Sequence, residues 1–417
     1  MIVARAVGLA LASAPAGVDH VFGVVGSGNF HLTNALREGG ARFVAARHEG
    51  GAATMADAYA RMTGRVTALS VHQGCGLTNA MTGIAEAAKS RSPLLVLAAE
   101  ATNHASNFYV DQDALARAVG AIPARITSAE TAVDEALTAA TTALYERRTV
   151  LLNLPLDIQS LDAPEQSPPT GVPGAPVPRP PTERDLIRLV QALTQAKQPV
   201  FVAGRGARER RAADAVADLA ERCGALLATS AVAKGLFHDN PWSLDVSGGF
   251  SSPTTADLIQ GADLIVGWGC ALNMWTMRHG RLIGEGATVV QVDDTAGALG
   301  AQRELTFGVL GDVAETALAA HAAFAELANR DDAAEPGYRR AEIRHRIETS
   351  ARWRDVPYSD NSGEGFIDPR TLTLRLDELL PYDRVISVDS GNFMGYPSMF
   401  LSVPDEQGFC FTQAFQS

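Results

Sequence analysis

Cysteine is scarce in this chain. Four are spread over 417 residues, Cys75, Cys223, Cys270 and Cys410, with no CxxC or CxxH spacing. That argues against a zinc site and against a disulfide framework, and it fits a reducing compartment such as the cytoplasm. Basic runs are missing too. The formal net charge is −12, and no Lys/Arg cluster is long enough to track a phosphate backbone, so nucleic acid is a poor partner. No apolar run reaches the length of a membrane span. The opening MIVARAVGLALASAPAG carries an Ala-Ser-Ala like that of a cleaved leader, but Arg5 lies inside the apolar run. Val3, Val7 and Ala10 share a helical face, so the segment reads as a helix leading into a strand. A full dinucleotide fingerprint is also lacking. Gly204-x-Gly206 and Gly267-x-Gly269 each follow a strand-like run without the third glycine, which argues against a flavin or nicotinamide site there.

What is present is ordinary globular composition, 46% hydrophobic and 20% charged, in alternating strand-like and helix-like stretches. Strands are expected at 20–25, 41–46, 66–71, 94–98 and 149–153. Helices are expected at 2–14, 30–38, 50–62, 77–90, 112–119 and 129–146. Such alternation predicts an α/β fold of successive doubly wound parallel-sheet domains. A proline-rich stretch at 163–182 reads as a semi-rigid linker. The expected organisation is therefore a first domain at 1–162, that linker, a Rossmann-like middle domain at 183–330, a second connector at 331–367, helical at first, and a further unit from 368 to 417. The length agrees with two to three domains.

Ligands of parallel sheets collect at the carboxyl ends of strands. Three such ends in the first domain carry polar or glycine-rich turns: Gly26-Ser27-Gly28-Asn29, the stretch around Glu49, and His72-Gln73-Gly74-Cys75-Gly76-Leu77-Thr78-Asn79. A fourth, Ser390-Gly391-Asn392-Phe393, follows the strand expected at 384–389. Glu49 opens an alanine-rich helix behind paired glycines, which let a backbone or a flat ligand come close. As an acidic first-turn residue it also complements the helix dipole. Alone it does not decide between the two roles.

Together these segments resemble thiamine-diphosphate-dependent enzymes of the acetolactate synthase, pyruvate decarboxylase and benzoylformate decarboxylase group. The resemblance is carried by FGVVGSGNF at 22–30, RHEGGAATMADAYAR at 47–61, HQGCGLTNAMTGIAEA at 72–87, SPLLVLAAEA at 92–101 and VDQDAL at 110–115. It continues through VFVAGRGA at 200–207, ADLIVGWGCALN at 262–273, VVQVDD at 289–294 and VISVDSGNF at 385–393. It implies a pyrimidine-binding domain, a middle domain and a diphosphate-binding domain. The cofactor would lie between two subunits, so a dimer is the minimum and a tetramer is open. It implies that Glu49 bonds the aminopyrimidine, holding and returning a proton, and that the cofactor acts as electron sink when a 2-oxo acid loses carbon dioxide. It implies cofactor contacts at Gly26, Thr78, Asn79, Ser390, Gly391, Asn392 and Phe393. His72 and Ser27 match a proton relay and a carboxylate contact of the arylformate branch, with the alternative that one is a satisfied polar group and the other a turn residue. His31 and His104 are further candidates for the same cleft. Asn107 stands roughly where many relatives carry a glutamine. Cys75 has no functional account.

One departure matters. The family anchors its diphosphate through Mg²⁺ on a Gly-Asp-Gly with a later Asn, and this sequence has no Gly-Asp-Gly. A third domain takes on the order of 150 residues, and only about 50 follow Asp368. The expectation is a chain without a metal site of its own, a fragment inactive unless the rest is supplied. The activity expected of the whole is decarboxylation or carboligation of a 2-oxo acid. The alternative is a non-catalytic binding or assembly protein that keeps the fold.

Overall fold

The computed structural model describes residues 1–164, 174–328 and 337–412. The chain divides into two compact units, one of residues 1–176 and the other of residues 177–411.

In the first unit the order is α1 (Val3–Ala12), β1 (His20–Gly23), α2 (Phe30–Glu38), β2 (Arg42–Ala45), α3 (Glu49–Thr63), β3 (Thr67–Val71) and α4 (Cys75–Lys89). Then come β4 (Leu94–Glu100), α5 (Gln112–Val119), β5 (Ile122–Arg125), α6 (Ala132–Tyr145), β6 (Val150–Pro155) and the short α7 (Leu156–Gln159). The six strands form one parallel sheet in the order β2-β1-β3-β4-β6-β5. β3, β4 and β6 are buried along their whole length, as strands covered on both faces must be. Their near-continuous Val, Leu and Ala runs are what made them readable. β5 was not expected. It is an edge strand carrying Pro123, and proline is tolerated there because one face of its backbone has no neighbour to serve.

α3 and α4 pack through Ala52, Ala53, Ala56, Ala80, Ile84 and Ala87. Beneath them lies a buried charged cluster. Arg61 Nη2 donates to Asp57 at 2.5 Å and to Glu86 at 2.7 Å, and Ser92 Oγ donates to the other Asp57 oxygen at 2.5 Å. Desolvation alone would destabilise the guanidinium charge, but the two carboxylates outweigh it and hold its pKa above the ordinary value.

The second unit begins with α8 (Glu183–Gln195), β7 (Pro199–Ala203), α9 (Arg210–Cys223), β8 (Leu226–Thr229), β9 (Ser243–Val246), α10 (Pro253–Gln260) and β10 (Leu264–Trp268). It continues with β11 (Thr288–Asp293), β12 (Phe307–Leu310), α11 (Val313–Ala328), α12 (Ala341–Ser350), α13 (Pro369–Leu379), β13 (Ile386–Val388), α14 (Gly395–Phe400) and β14 (Phe409–Phe411). Its main sheet is parallel, in the order β12-β11-β10-β7-β8-β9, and β13 pairs with β14 in a small parallel sheet. The stretch read as a connector at 331–367 holds α12, whose Ile343 and Ile347 are buried in one cluster with Tyr338, Ile259 and Leu272. Its apolar spacing is diluted by four charged residues, Glu342, Arg344, Arg346 and Glu348, in ten positions, which hid the buried face from the sequence reading. Residues 331–336 of that connector, and 165–173 of the proline-rich linker, lie outside the described residues. Among the described residues no helix is long and apolar enough to cross a membrane.

Each main sheet has a point where the strand order reverses, between β1 and β3 in the first unit and between β7 and β10 in the second. In a doubly wound sheet a crevice opens at the carboxyl ends of such a pair. In the second unit backbone fills it. Gly204 N donates to Trp268 O at 2.9 Å and Gly206 N to Gly269 O at 3.1 Å. A Cβ on Gly204 would come within 2.4 Å of Gly269 O, and Gly269 itself sits at φ +52°. The incomplete glycine fingerprints are thus explained by turn-on-turn packing.

Candidate functional site

The reversal point of the first unit is lined by side chains instead. The turn after β1 is held from below by Asn29, which is 1% exposed. Its Oδ1 accepts from Gly26 N at 2.7 Å, and its Nδ2 donates to Val24 O at 3.1 Å and to Ser70 Oγ on β3 at 3.0 Å. This places Ser27 opposite His72, the first residue beyond β3. Ser27 Oγ lies 3.3 Å from His72 Nε2. His72 Nδ1 lies 3.0 Å from the backbone oxygen of Gln73. A carbonyl oxygen can only accept, so Nδ1 carries the proton and the Nε2 lone pair faces Ser27. Gly26 leaves room for this ring: a Cβ there would lie 2.2 Å from His72 Cδ2.

Glu49 reaches the same place from α3. His48 caps that helix, its Nδ1 accepting from Gly50 N at 3.0 Å. Glu49 is half-buried. Asn79, on the second turn of α4, donates from Nδ2 to Glu49 Oε2 at 3.1 Å. Among the described residues no donor is placed on Oε1. Gly76 stands between the two acid–base groups: a Cβ on it would meet His72 Cβ at 3.0 Å and Glu49 Oε1 at 3.4 Å. Glu49, Asn79, His72 and Ser27 therefore form one constellation, contributed by the ends of three adjacent strands and the helices that follow.

The loop after β4 closes one side. Phe108 sets its ring edge-on to His72, centroids 5.3 Å apart at 61°. Gly74, at φ +63°, lets the loop approach; a Cβ there would lie 2.4 Å from Phe108 O. Phe108 was missed from the sequence, where its only signal was an aromatic residue in a polar strand-to-helix loop. Gln73 is 5% exposed, and among the described residues its Oε1 has no hydrogen-bond partner.

Other expected residues are less engaged. Thr78 Oγ1 is bonded to Cys75 O at 3.1 Å. Asn107 is exposed on the Phe108 loop. His104 is exposed and lies tilted at 38° against Tyr109 with centroids 4.1 Å apart. His31 is exposed on α2, edge-on to Phe30. Among the described residues no hydrogen bond or ring contact joins any of these three side chains to His72 or Glu49. In the second unit, Ser390 is buried, Gly391 stands at φ +123° and Phe393 is 60% exposed. The side chain of Asn392 lies outside the described residues. Among the described residues no three His, Cys, Asp or Glu side chains group as a metal site.

The geometry fits the pyrimidine end of thiamine diphosphate: a half-buried carboxylate with one oxygen held by an amide and the other open, bordered by glycines at 50, 51 and 76. Residues 1–120 match the profile described as thiamine pyrophosphate enzyme, N-terminal TPP binding domain. Residues 186–320 match the central domain of the same family. A sulfoacetaldehyde acetyltransferase of Rhodobacter capsulatus is 27% identical over 405 residues, covering 90% of this chain and 66% of the relative. A probable 2-ketoarginine decarboxylase of Pseudomonas aeruginosa is 34% identical over 267 residues, covering 58% and 45%. An acetolactate synthase large subunit of Parasynechococcus marenigrum is 26% identical over 404 residues, covering 92% and 63%. The chain thus spans at most about two thirds of the length of these relatives. Two consecutive domains of the family are matched in order, over more than half of the chain, and the chain belongs to the thiamine pyrophosphate enzyme family.

Proposed function

We propose that the first unit is the pyrimidine-binding part of an enzyme that decarboxylates a 2-oxo acid or ligates the product, with Glu49, His72 and Ser27 as its working groups. The observation that supports this most is the pairing of His72 Nε2 with Ser27 Oγ, one glycine away from Glu49. Thiamine diphosphate, when bound, supplies a carbon nucleophile and an electron sink for loss of carbon dioxide.

The chain's own residues do the rest. Glu49 Oε1 is open to bond the pyrimidine and to exchange a proton with it, while Asn79 fixes the other oxygen so that the carboxylate does not turn away. His72 has its accepting nitrogen directed into the cleft, because the Gln73 carbonyl takes the Nδ1 proton. It can receive a proton at Nε2 and return it to the reacting substrate. Ser27 donates to that nitrogen at rest, and its hydroxyl is the donor nearest to it for a substrate carboxylate. Phe108 shields the histidine from water on one side. In the same reading the turn at Ser390, Gly391 and Phe393 serves the diphosphate end, and a second copy of the chain completes the site.

Replacing Glu49 tests this. Cofactor affinity is read by calorimetry with thiamine diphosphate and Mg²⁺, and carbon dioxide release is followed from a panel of 2-oxo acids in the natural gene product. E49Q should lower turnover by roughly 10²–10⁴-fold, the usual range for an acid–base group. Full turnover in E49Q would overturn the proposal.

A further inference from the structure

The second unit contains a cavity of 270 Å³ at the carboxyl ends of β8 and β9, walled by the segments around Arg352 and Phe400. Three cations line it, Lys234, Arg352 and Arg354, with one carboxylate, Asp245. Lys234 is 3% exposed. Its Nζ lies 3.2 Å from Asp245 Oδ2, and Arg352 Nη1 lies 3.2 Å from the same oxygen. Arg354 is paired with Asp377, which is also held by Arg384 and accepts from Ser402 N at 2.8 Å and Ser402 Oγ at 2.9 Å. Four cations are therefore met by two carboxylates, and both carboxylates are already shared.

This imbalance is unusual in two respects. The chain as a whole carries a net charge of −12, so excess positive charge is the exception. A buried ammonium shared with a guanidinium on one carboxylate also bears a desolvation cost that a single Asp offsets only in part. Among the described residues Arg352 pairs with Asp245 alone, from a group with five N–H donors. Asp245 itself stands at φ +60°, a left-handed conformation disfavoured for a residue with a side chain. Such strained residues collect at ligand sites.

The remaining walls are aromatic and fixed. Trp353 is anchored by a 2.7 Å bond from Nε1 to Phe250 O and lies 5.8 Å, ring to ring, from Phe400. Phe237 adds a third ring. The volume lies just under the about 300–1,000 Å³ of drug-sized ligand sites, so the occupant is small. We propose that this cavity binds a small organic anion, a carboxylate or phosphate ester with an apolar body, its charged head on Arg352, Arg354 and Lys234 and its body against Trp353, Phe400 and Phe237. The site is built wholly within the second unit and stands independently of the chemistry proposed for Glu49 and His72.

The test uses benzoate and phenyl phosphate as probes, benzyl alcohol as the neutral control, and calorimetry on the full chain. Both anions should bind saturably and more weakly as salt rises, and benzyl alcohol should not. R352Q and R354Q, each leaving a cation on its aspartate, should weaken binding at least tenfold, while H72A leaves it unchanged. Thermal melts confirm that each variant is folded. No saturable binding, equal binding of benzyl alcohol, or binding lost in H72A but kept in folded R352Q and R354Q would each overturn the proposal.

Discussion

Ser27 Oγ lies 3.3 Å from His72 Nε2, and the same ring is locked by the Gln73 carbonyl at 3.0 Å from Nδ1. The pair is one hydroxyl and one imidazole lone pair, so the two partners should fail differently. On the proposed reading, S27A removes a binding group and should raise KM for the 2-oxo acid more than it lowers kcat. H72A removes a proton carrier and should lower kcat by about 10²–10⁴-fold. Steady-state kinetics of both variants, each with a pH profile, separate the two roles. Equal loss of kcat in both, with KM unchanged, would mean that Ser27 acts only by holding the ring.

Arg61 is buried between Asp57 and Glu86. R61M leaves two carboxylates buried beneath α3 and α4 without their cation, which should cost roughly 3–5 kcal/mol in stability. The triple variant D57N/R61M/E86Q, which buries no charge, should regain most of that. Urea unfolding of the wild type and both variants gives the comparison, and equal stability of R61M and wild type would refute it.

The thiols offer a check on the packing of both units. Cys75 is exposed, while Cys223, Cys270 and Cys410 are buried. Burial pushes the Cys223 thiol up to about 12 and the Cys270 thiol up to about 11. The thiolate is the reactive form, so at pH 8 a disulfide reagent should label one thiol quickly in the native chain and four after denaturation. Rapid labelling of Cys223 or Cys270 would contradict their burial.

Asp368 caps α13, accepting from Arg370 N at 2.9 Å, and it is also paired with the Arg370 guanidinium at 2.5 Å and bonded by Asn361 N at 3.2 Å. The guanidinium foremost, then these backbone donors, hold its carboxyl well below the ordinary range. A depressed folded pKa stabilises fully above the unfolded value of about 3.9 and loses that stabilisation as pH falls through the folded one. Wild type should therefore lose Tm more steeply than D368N between about pH 5 and pH 2, and the two should converge in acid. Parallel curves would show that the charge on Asp368 does not matter.

Much of this was legible because parallel strands buried on both faces announce themselves. Leu94–Ala98 and Val150–Leu152 are unbroken apolar runs, and Glu49, Ser27 and His72 each follow a strand-like stretch. What the sequence hid was either masked or non-local. Pro123 disguised β5 as a loop. The charges of α12 disguised its buried face. Phe108 meets His72 across 36 positions, and nothing in a polar loop marks which of its residues turns inward. The three separate stretches around Ser27, Glu49 and His72 were identified as candidates, but that one glycine, Gly76, brings two of them together depends on how α3 and α4 approach.

That approach rests on alanine. Ala52, Ala53 and Ala56 of α3 share one buried cluster with Ala80 and Ala87 of α4, to which α4 adds the longer Leu77 and Ile84. Small side chains on both helices let them approach closely, and Glu49 and Asn79 ride near their N-terminal ends. Laboratory evolution of this protein should accordingly find its freedom unevenly distributed. The 101–109 loop can change residue identity and reshape the cleft at little risk. A single added methylene at Ala53 or Ala80 would pry the helices apart and carry the Glu49–Asn79 bond with it, so selection for new substrates should leave the alanine seam untouched and write its changes into the loop.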